Sequence, residues 1–475
     1  MNVLAIDQGT SSTKALVVCA ERGVLADAEV PVHPRALGDG GVEQEPEELW
    51  RSVVSAGRAA LGRAGEPVGA LGLANQGETV LAWQRASGTA LSPAISWQDR
   101  RATDVCAQLR PHADWLRRHT GLPLDPYFAA PKMRWLRDHV TRDGVCTTTD
   151  TWLLQRLTGA YVTDAATASR TQLLDLDTAT WSNQACTLFG IDAASLPRIV
   201  SCAEVIGETT AFGPALPVSG LAVDQQAALF AESCFVPGEA KCTYGTGAFL
   251  LATLGNHARR SARGLATCVA WRLGDDTTYC LDGQVYTVGA AVAWLQQVGL
   301  LRGPDDLDAL GGTVADAGGV LFVPSLAGLA APFWRPAARG VFAGLSLATE
   351  RAHLLRAVID GIAAQVAWLA RAVGEDLCHR LTRLRVDGGL TRSRTLMQAQ
   401  ADLLQVPVEV YPSPHATALG VAALARLGVG SARTPAEAIG AWQPAAVYEP
   451  RLGPTNAAER LDRWRRVAEA TIESK

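Results

Sequence analysis

Two short glycine turns that could hold phosphate stand near the starts of the two halves of the chain. Asp7-Gln8-Gly9-Thr10 follows an apolar run, and Tyr244-Gly245-Thr246-Gly247 follows a similar run in the second half. Glycine lets the backbone come close to a ligand, and the N–H groups and hydroxyls of Thr10, Ser11 and Ser12 can hold phosphate oxygens. Either turn alone is also typical of an ordinary hairpin. Both together indicate a nucleotide, because its phosphates can be held by two such turns across a cleft.

Two aspartates stand at positions where a carboxylate could do chemistry, and a third begins another glycine turn. Asp7 lies beside the first turn, where it could hold Mg²⁺ through water. Asp224 ends an apolar run and begins a helical segment, so it could accept the proton of a substrate hydroxyl. The alternative for Asp224 is a helix N-cap, which is the commoner use of such an aspartate. Asp387-Gly388-Gly389 ends a third strand and suits the close approach of an adenosine, although a helix-entry turn explains it equally well.

The elements that position these residues predict a duplicated α/β architecture. Strand, glycine turn and strand recur around Thr10 and around Thr246, near the start of each half. Apolar residues at helical spacing predict helices over Glu45–Leu61, His353–Val373 and Glu459–Ser474. We expect two domains, residues 1–232 and residues 233–475.

Composition excludes several classes of protein. The 475 residues are 48% apolar and 19% charged with a formal charge of −4, which excludes wholesale disorder and gives no basic field for nucleic acid or an anionic membrane. The sequence contains no Walker A, Rossmann or HExxH motif, and its ten cysteines form no C-x-x-C pair. The N-terminus has no basic region like that of a signal peptide. Two charge-poor stretches, 283–301 and 317–334, carry glutamines or prolines and are read as buried core. These observations predict a cytoplasmic protein without nucleic-acid or membrane partners.

Blocks distributed over most of the chain resemble the FGGY carbohydrate kinases of the actin-like ATPase superfamily, and among them the glycerol kinases most. They run from about residue 2 to about residue 425: AIDQGTSSTK (5–14), ANQGET (74–79), SWQDRR (96–101), GLPLDPYF (121–128), DTWLLQRLTG (150–159), VTDAATASRT (162–171), GLAVDQQAALF (220–230), KCTYGTGAFLL (241–251), GLAAPFWRPAARGVFAGL (328–345), RVDGGL (385–390), MQAQADLLQVPVE (397–409) and ATALGVAALA (416–425). The resemblance implies two actin-like (ribonuclease H-like) domains, with the active site in the cleft between them.

The resemblance also implies an activity and a set of site residues. The expected activity is transfer of phosphate from ATP, with Mg²⁺, to a primary hydroxyl of a small polyol or sugar. Asp224 is implied as the catalytic base and Asp7 as the carboxylate on the Mg²⁺ side. The implied ATP contacts are Thr10, Ser11, Ser12, Gly245, Thr246, Gly289 and Gly389. The implied substrate contacts are Glu78, Trp97, Tyr127, Asp224, Gln225 and Phe249. Homodimers and homotetramers are common in this family.

The main departure from the glycerol kinase pattern is Gly77. Glycerol kinases carry an arginine at this point of the Asn75–Thr79 block, and that arginine is a contact to the substrate hydroxyls in that family. A glycine removes the charged donor and leaves space that a larger polyol, a ketose or water could fill. Arg392-Ser393 reads more like the xylulokinase branch. These departures leave a ketopentose kinase of the xylulokinase type as an alternative. Two alternatives from other classes are a non-catalytic sugar sensor and an actin-like chaperone or filament protein.

Overall fold

A computed structural model describes residues 1–303 and 305–473. The strands of the first half are β1 (Asn2–Gln8), β2 (Ser12–Cys19), β3 (Gly23–Pro31), β4 (Arg35–Ala36), β5 (Val42–Gln44), β6 (Ala70–Asn75), β7 (Val80–Trp83), β8 (Ala94–Ile95), β9 (Val145–Thr148), β10 (Val162–Asp164), β11 (Leu174–Asp175), β12 (Thr180–Trp181), β13 (Arg198–Val200), β14 (Ala203–Thr209) and β15 (Leu216–Val223). The helices of this half are α1 (Pro46–Ala64), α2 (Thr103–Leu109), α3 (Ala113–Thr120), α4 (Ala129–His139), α5 (Thr149–Thr158), α6 (Ala165–Ser169), α7 (Asn183–Phe189) and α8 (Asp224–Ala231).

The second half has fewer strands and longer helices. Its strands are β16 (Ala240–Tyr244), β17 (Ala248–Gly255), β18 (Ala266–Leu273), β19 (Asp276–Val285), β20 (Leu321–Val323), β21 (Val341–Ala343), β22 (Leu384–Asp387), β23 (Val408–Val410) and β24 (Ala446–Tyr448). Its helices are α9 (Gly289–Gln297), α10 (Asp306–Gly311), α11 (Arg351–Leu377), α12 (Arg394–Leu404), α13 (Ala416–Gly428), α14 (Pro435–Ile439) and α15 (Pro454–Glu473). Short 3₁₀ helices cover Arg110–His112, Ala193–Ser195 and Gly389–Arg392.

The two large sheets repeat one topology, which confirms the predicted duplication. The first sheet has the order β14-β15-β6-β1-β2-β3, and the second has the order β18-β19-β17-β16-β22-β23-β24. In each sheet an antiparallel hairpin, β1–β2 or β16–β17, is followed by two parallel strands and one antiparallel edge strand. Because both hairpins occupy the same place in their sheets, their turns emerge at equivalent ends.

Local sequence signals set the ends of the main helices. Helix α1 has Pro46 at its first turn and ends at Gly65, which adopts the left-handed conformation with φ 61°. Helix α11 begins with a capping box in which Glu350 and His353 satisfy each other's backbone N–H groups. His353 therefore has a capping role, as its position at a helix start indicates.

Helix α11 is the one helix among the described residues that is long and apolar enough to cross a membrane. Of its most apolar window, 78% is buried inside the protein. It packs against α12, α10 and β20, so its apolar composition is explained by core packing.

Helix α13 belongs to the second half of the chain but packs on the first sheet. It lies against β15, β6 and β1 and against α8. A Cβ atom at Gly72 on β6 would lie 2.5 Å from the carbonyl oxygen of Val421, so only glycine permits this close approach. The first sheet is thus covered partly by a helix of the second half. A domain boundary between residues 232 and 233 therefore places α13 and the sheet on which it packs in different domains.

Candidate active site

A cleft of about 400 Å³ opens between the equivalent ends of the two sheets. Most of the residues singled out from the sequence line it: Asp7, Thr10, Ser11, Ser12, Glu78, Trp97, Tyr127, Asp224, Gln225, Gly245, Thr246, Phe249 and Gly389. They come from seven separate segments of the chain. The fold therefore collects both glycine turns, the aspartates and the aromatic residues at one place.

The first glycine turn joins β1 to β2 and is held on two sides. The N–H of Gly9 donates to the carbonyl of Ser12 at 3.0 Å. The indole N–H of Trp97 donates to Thr10 Oγ1 at 2.9 Å, and the amide of Gln44 donates to the Thr10 carbonyl at 2.7 Å. Trp97 thus links the first glycine turn directly to the aromatic part of the cleft.

The second glycine turn joins β16 to β17 and is supported from behind by the start of α9. The N–H of Gly245 donates to the carbonyl of Gly247 at 2.9 Å, and the N–H groups of Val288 and Gly289 donate to the carbonyls of Thr246 and Gly245. Gly289 does not line the cleft. A Cβ at this position would lie 2.6 Å from the Gly245 carbonyl oxygen, so a glycine at residue 289 is needed for α9 to pack closely against the turn.

Asp224 is the first residue of α8, at the carboxyl end of β15. The cap position belongs to Val223, and no side chain caps this helix, so the N-cap alternative for Asp224 is not what the structure shows. Its Oδ1 accepts the N–H of Gln225 at 2.7 Å. Burial, reinforced by the charge of Asp7, raises the pKa of Asp224 to about 6, while Lys241 opposes the rise. The carboxylate is therefore ionised at neutral pH and close enough to titration to take up a proton.

Asp7 lies across the cleft in the same electrostatic environment. Burial raises its pKa to about 6; Lys14 works against the rise and Asp387 adds to it. Burial also raises the pKa of Asp387, whose Oδ1 has no hydrogen-bond partner. Carboxylates that are buried, close together and incompletely paired are favourable positions for a cation.

The remaining wall of the cleft combines rings with polar groups. The Trp97 ring packs edge-on against the rings of Tyr127 and Phe249, with centroids 5.9 Å apart in both pairs. Lys241 Nζ donates to Gln225 Oε1 at 2.7 Å and so fixes which end of that amide faces the cleft. Such a wall suits a small molecule that has a carbon face and several hydroxyls.

Sequence reasoning gave no role to several residues that the cleft contains. Arg170 and Asp282 form a buried ion pair in its floor, and Lys14, Asp387 and Arg392 line it near the glycine turns. Arg170 lies within the block 162–171, and Asp387 lies within the third glycine turn. Both segments were identified from the sequence, but no role was given to these two side chains. Asp282 had no signal, because it is one residue of the ordinary strand β19.

The carboxylates present fit a magnesium ion that is shared with a nucleotide. Within residues 1–303 and 305–473, no three His, Cys, Asp or Glu side chains are grouped as a complete metal site. Mg²⁺ usually takes one or two carboxylates and keeps waters and phosphate oxygens as its other ligands. Asp7 and Asp387, on opposite turns of the cleft, match that requirement.

Comparison with known proteins places both halves in one family. The model of the N-terminal domain of the FGGY family of carbohydrate kinases matches residues 2–231, and the model of the C-terminal domain matches residues 240–428. Glycerol kinase from Myxococcus xanthus is 41% identical and that from Alkalilimnicola ehrlichii is 43% identical. Each alignment covers 98% of this chain, and 98% and 97% of the relative.

Solved structures show the same architecture. The crystal structure of Plasmodium falciparum glycerol kinase with ADP superposes with a TM-score of 0.90 at 29% identity, over 99% of this chain and 98% of that one. A xylulose kinase from Lactobacillus acidophilus also gives 0.90, over 100% and 99% of the two chains, but at 22% identity it shows likeness of fold alone. The expected two-domain α/β fold is confirmed.

Proposed function

The chain belongs to the FGGY family of carbohydrate kinases, and from this premise we propose that Asp224 activates a primary hydroxyl of a small polyol, glycerol first, to receive the terminal phosphate of ATP. As a member of this family, the protein is an ATP-dependent phosphotransferase with an alcohol acceptor. The observation that carries the proposal is the position of Asp224 in one cleft with two phosphate-type turns and a polar, aromatic wall.

Asp224 would act as the general base of the transfer. The carboxylate accepts a hydrogen bond from the attacking hydroxyl, aligns its oxygen with the phosphorus atom, and takes the proton as the new bond forms. A pKa of about 6 suits this work, because the base is ionised at neutral pH and still basic enough to hold a proton.

The glycine turns would hold the phosphates of ATP. Thr10, Ser11, Ser12, Gly245 and Thr246 line the cleft. Their backbone N–H groups and the hydroxyls of the threonines and serines can offset charge on the transferring group. Gly389 would face the nucleoside. Gly289, which packs behind the second turn, would act on the nucleotide by fixing the position of Gly245.

A magnesium ion would be held at Asp7 and Asp387, largely through water. When bound, the ion neutralises negative charge that builds up between the phosphates. Asp7 contributes a buried carboxylate whose raised pKa falls when a cation lies beside it, since an opposite charge favours the ionised form.

The acceptor would lie between Asp224 and the wall formed by Glu78, Trp97, Tyr127, Gln225 and Phe249. The rings of Trp97, Tyr127 and Phe249 contact the carbon face of the acceptor and exclude water. Glu78 and Gln225 hydrogen-bond its other hydroxyls, so that the primary hydroxyl is left facing Asp224.

A ketopentose is the second candidate acceptor, and Gly77 is the observation that favours it. Gly77 lines the cleft beside Glu78 and brings no side chain into it. The pocket therefore lacks a long side chain at this position, although the Val223 Cγ2 methyl fills part of the space, 2.9 Å from where a Cβ of residue 77 would lie. A sugar sensor, which needs no base, has no use for Asp224 in its present position.

The test is release of ADP from Mg-ATP with glycerol, erythritol, xylulose and ribulose, alongside a blank without acceptor. Selective turnover of one of them with little ADP in the blank supports the proposal and names the acceptor. Binding of these compounds without ADP release would contradict it and support the sensor. A dimeric or tetrameric assembly and a cytoplasmic location stay predictions, which light scattering and cell fractionation test.

A further inference from the structure

Arg170 is a fully buried arginine in the floor of the cleft, directly after helix α6. Only 3% of the residue is exposed. Burying a guanidinium is unfavourable unless its charge is compensated and its N–H groups are bonded. The partners of Arg170 therefore explain why it is there.

The guanidinium holds groups from both halves of the chain. Its Nε donates to Glu78 Oε1 at 2.5 Å, and one Nη donates to the hydroxyl of Tyr127 at 3.2 Å. The other Nη forms an ion pair with Asp282 and also contacts Cys268 Sγ at 2.9 Å. Two substrate-side residues of the first half are thus tied to two strands of the second half.

Position 77, next to Glu78 on the pocket wall, brings no charged side chain. A Cβ at Gly77 would lie 2.9 Å from Val223 Cγ2, so a valine methyl occupies the space beside the glycine. The other arginine that lines the cleft, Arg392, lies on the third glycine turn. Arg170 is therefore the guanidinium next to Glu78 that can fix the polar groups of the acceptor site.

We propose that Arg170 is a positioning residue for the acceptor, which orients the Glu78 carboxylate and the Tyr127 hydroxyl so that they meet the acceptor's hydroxyls. This inference rests on the proposed function, because it concerns the same acceptor site. It also assigns Asp282 a part: its charge balances Arg170 from the second half and leaves the guanidinium fixed between two carboxylates.

The ionisation of Glu78 gives this role a second consequence. Burial raises the pKa of Glu78; Arg170 and Lys132 lower it, and Asp224 raises it further. The hydroxyl of Tyr127 is a neutral neighbour in the same site. Lys132 is itself buried, and burial lowers its pKa to about 7. Without Arg170, Glu78 would be protonated at higher pH, and a protonated carboxyl presents a donor where the site needs an acceptor.

The experiment compares Arg170→Met and Arg170→Lys with the parent, using the acceptor that the parent turns over best. The Michaelis constants of acceptor and ATP are measured separately from about pH 5.5 to 8.5. Arg272→Met is the matched control: Arg272 bonds the Ile199 carbonyl across the two halves but lies outside the cleft.

We expect Arg170→Met to raise the acceptor KM by about tenfold or more, with the ATP KM within about twofold of the parent. The acid limb of kcat/KM for the acceptor moves to higher pH in this variant. Arg170→Lys keeps the positive charge but not the planar guanidinium with its several N–H donors. We therefore expect a smaller rise in the acceptor KM and a smaller shift of the acid limb. Arg272→Met changes neither the acceptor KM nor the position of the acid limb.

An unchanged acceptor KM, or an equal rise in both Michaelis constants with the pH profile in place, would overturn the positioning role. If Arg170→Met does not fold, a double-mutant cycle of Arg170→Lys with Tyr127→Phe decides: coupled effects on the acceptor KM support the role, and additive effects overturn it. A parent without turnover on any acceptor refutes the proposed function itself, and this outcome is distinct from an active parent with an unaffected variant.

Discussion

Replacing Asp224 with asparagine separates the chemical step from substrate binding. Asparagine has nearly the same shape, and its side-chain oxygen can still accept the N–H of Gln225, which Asp224 Oδ1 accepts at 2.7 Å. The amide cannot accept a proton at neutral pH. The change therefore removes the base and leaves the start of helix α8 as it is.

The expected loss follows from the role of a positioned base. General-base catalysis contributes about 10²- to 10⁴-fold to a rate, so kcat should fall by that factor, equivalent to about 3–5 kcal/mol in the barrier. ATP affinity should change by less than about threefold, because removing one negative charge beside Asp7 acts on the phosphates only indirectly.

The assay is steady-state ADP release, with ATP affinity measured by tryptophan fluorescence. Asp150→Asn is the matched control. Asp150 is also a buried carboxylate whose pKa is raised to about 6, chiefly by burial, but it lies outside the cleft. Its replacement should leave kcat within about twofold of the parent.

Two results would refute the reasoning. If Asp224→Asn keeps more than about a tenth of the parent kcat, the carboxylate is not the base. If Asp150→Asn loses turnover to the same extent, the loss reports damage to the fold and not chemistry in the cleft.

Further predictions concern pH, packing and the metal. In the parent, kcat/KM for the acceptor should fall as the pH drops through about 6, because Asp224 becomes protonated there; a rate that is flat down to pH 5 would contradict this. The folded-state pKa of Asp150 lies above its ordinary value of 3.8, so this group lowers stability as the pH rises through about 6. Asp150→Asn should therefore raise the free energy of unfolding at pH 7.5 by about 1–3 kcal/mol and change it little at pH 4, as measured by urea titration at both pH values. Gly289→Ala should raise the KM for ATP by about tenfold and leave acceptor KM unchanged, because its Cβ would push the Gly245 carbonyl from behind; equal effects on both constants would argue against it. EDTA should abolish turnover and added Mg²⁺ restore it, and activity in metal-free buffer would exclude the site at Asp7.

Short-range patterns in the sequence predicted much of the fold. The glycine turns, the apolar runs beside them and the helical spacing of 353–373 are local signals, and the observed β1–β2 and β16–β17 hairpins and α11 follow them closely. His353 caps the start of α11 together with Glu350, and such a cap also depends only on a few neighbouring residues. The two-domain duplication was visible because its signature motif occurs twice.

The candidate site was predicted in part, since motifs mark residues but not their partners. Asp224 and the two turns lie in short blocks whose composition suggests their chemistry. Arg170 and Asp282 are separated by over a hundred residues, and no spacing rule connects an arginine after one helix to an aspartate within a distant strand. Gly289 was associated with the nucleotide, and the structure shows that it packs behind the second turn instead.

The sequence by itself thus determined the family, the duplicated architecture and the residue types available for phosphoryl transfer, because these depend on local pattern and motif. Tertiary structure alone decided which charges face one another. The raised pKa values of Asp7 and Asp224, the packing of α13 on the first sheet, and the placement of Arg170 between Glu78 and Asp282 all arise from contacts between distant segments. Burial and charge are properties of the assembled cleft, so they are fixed only when the two halves come together.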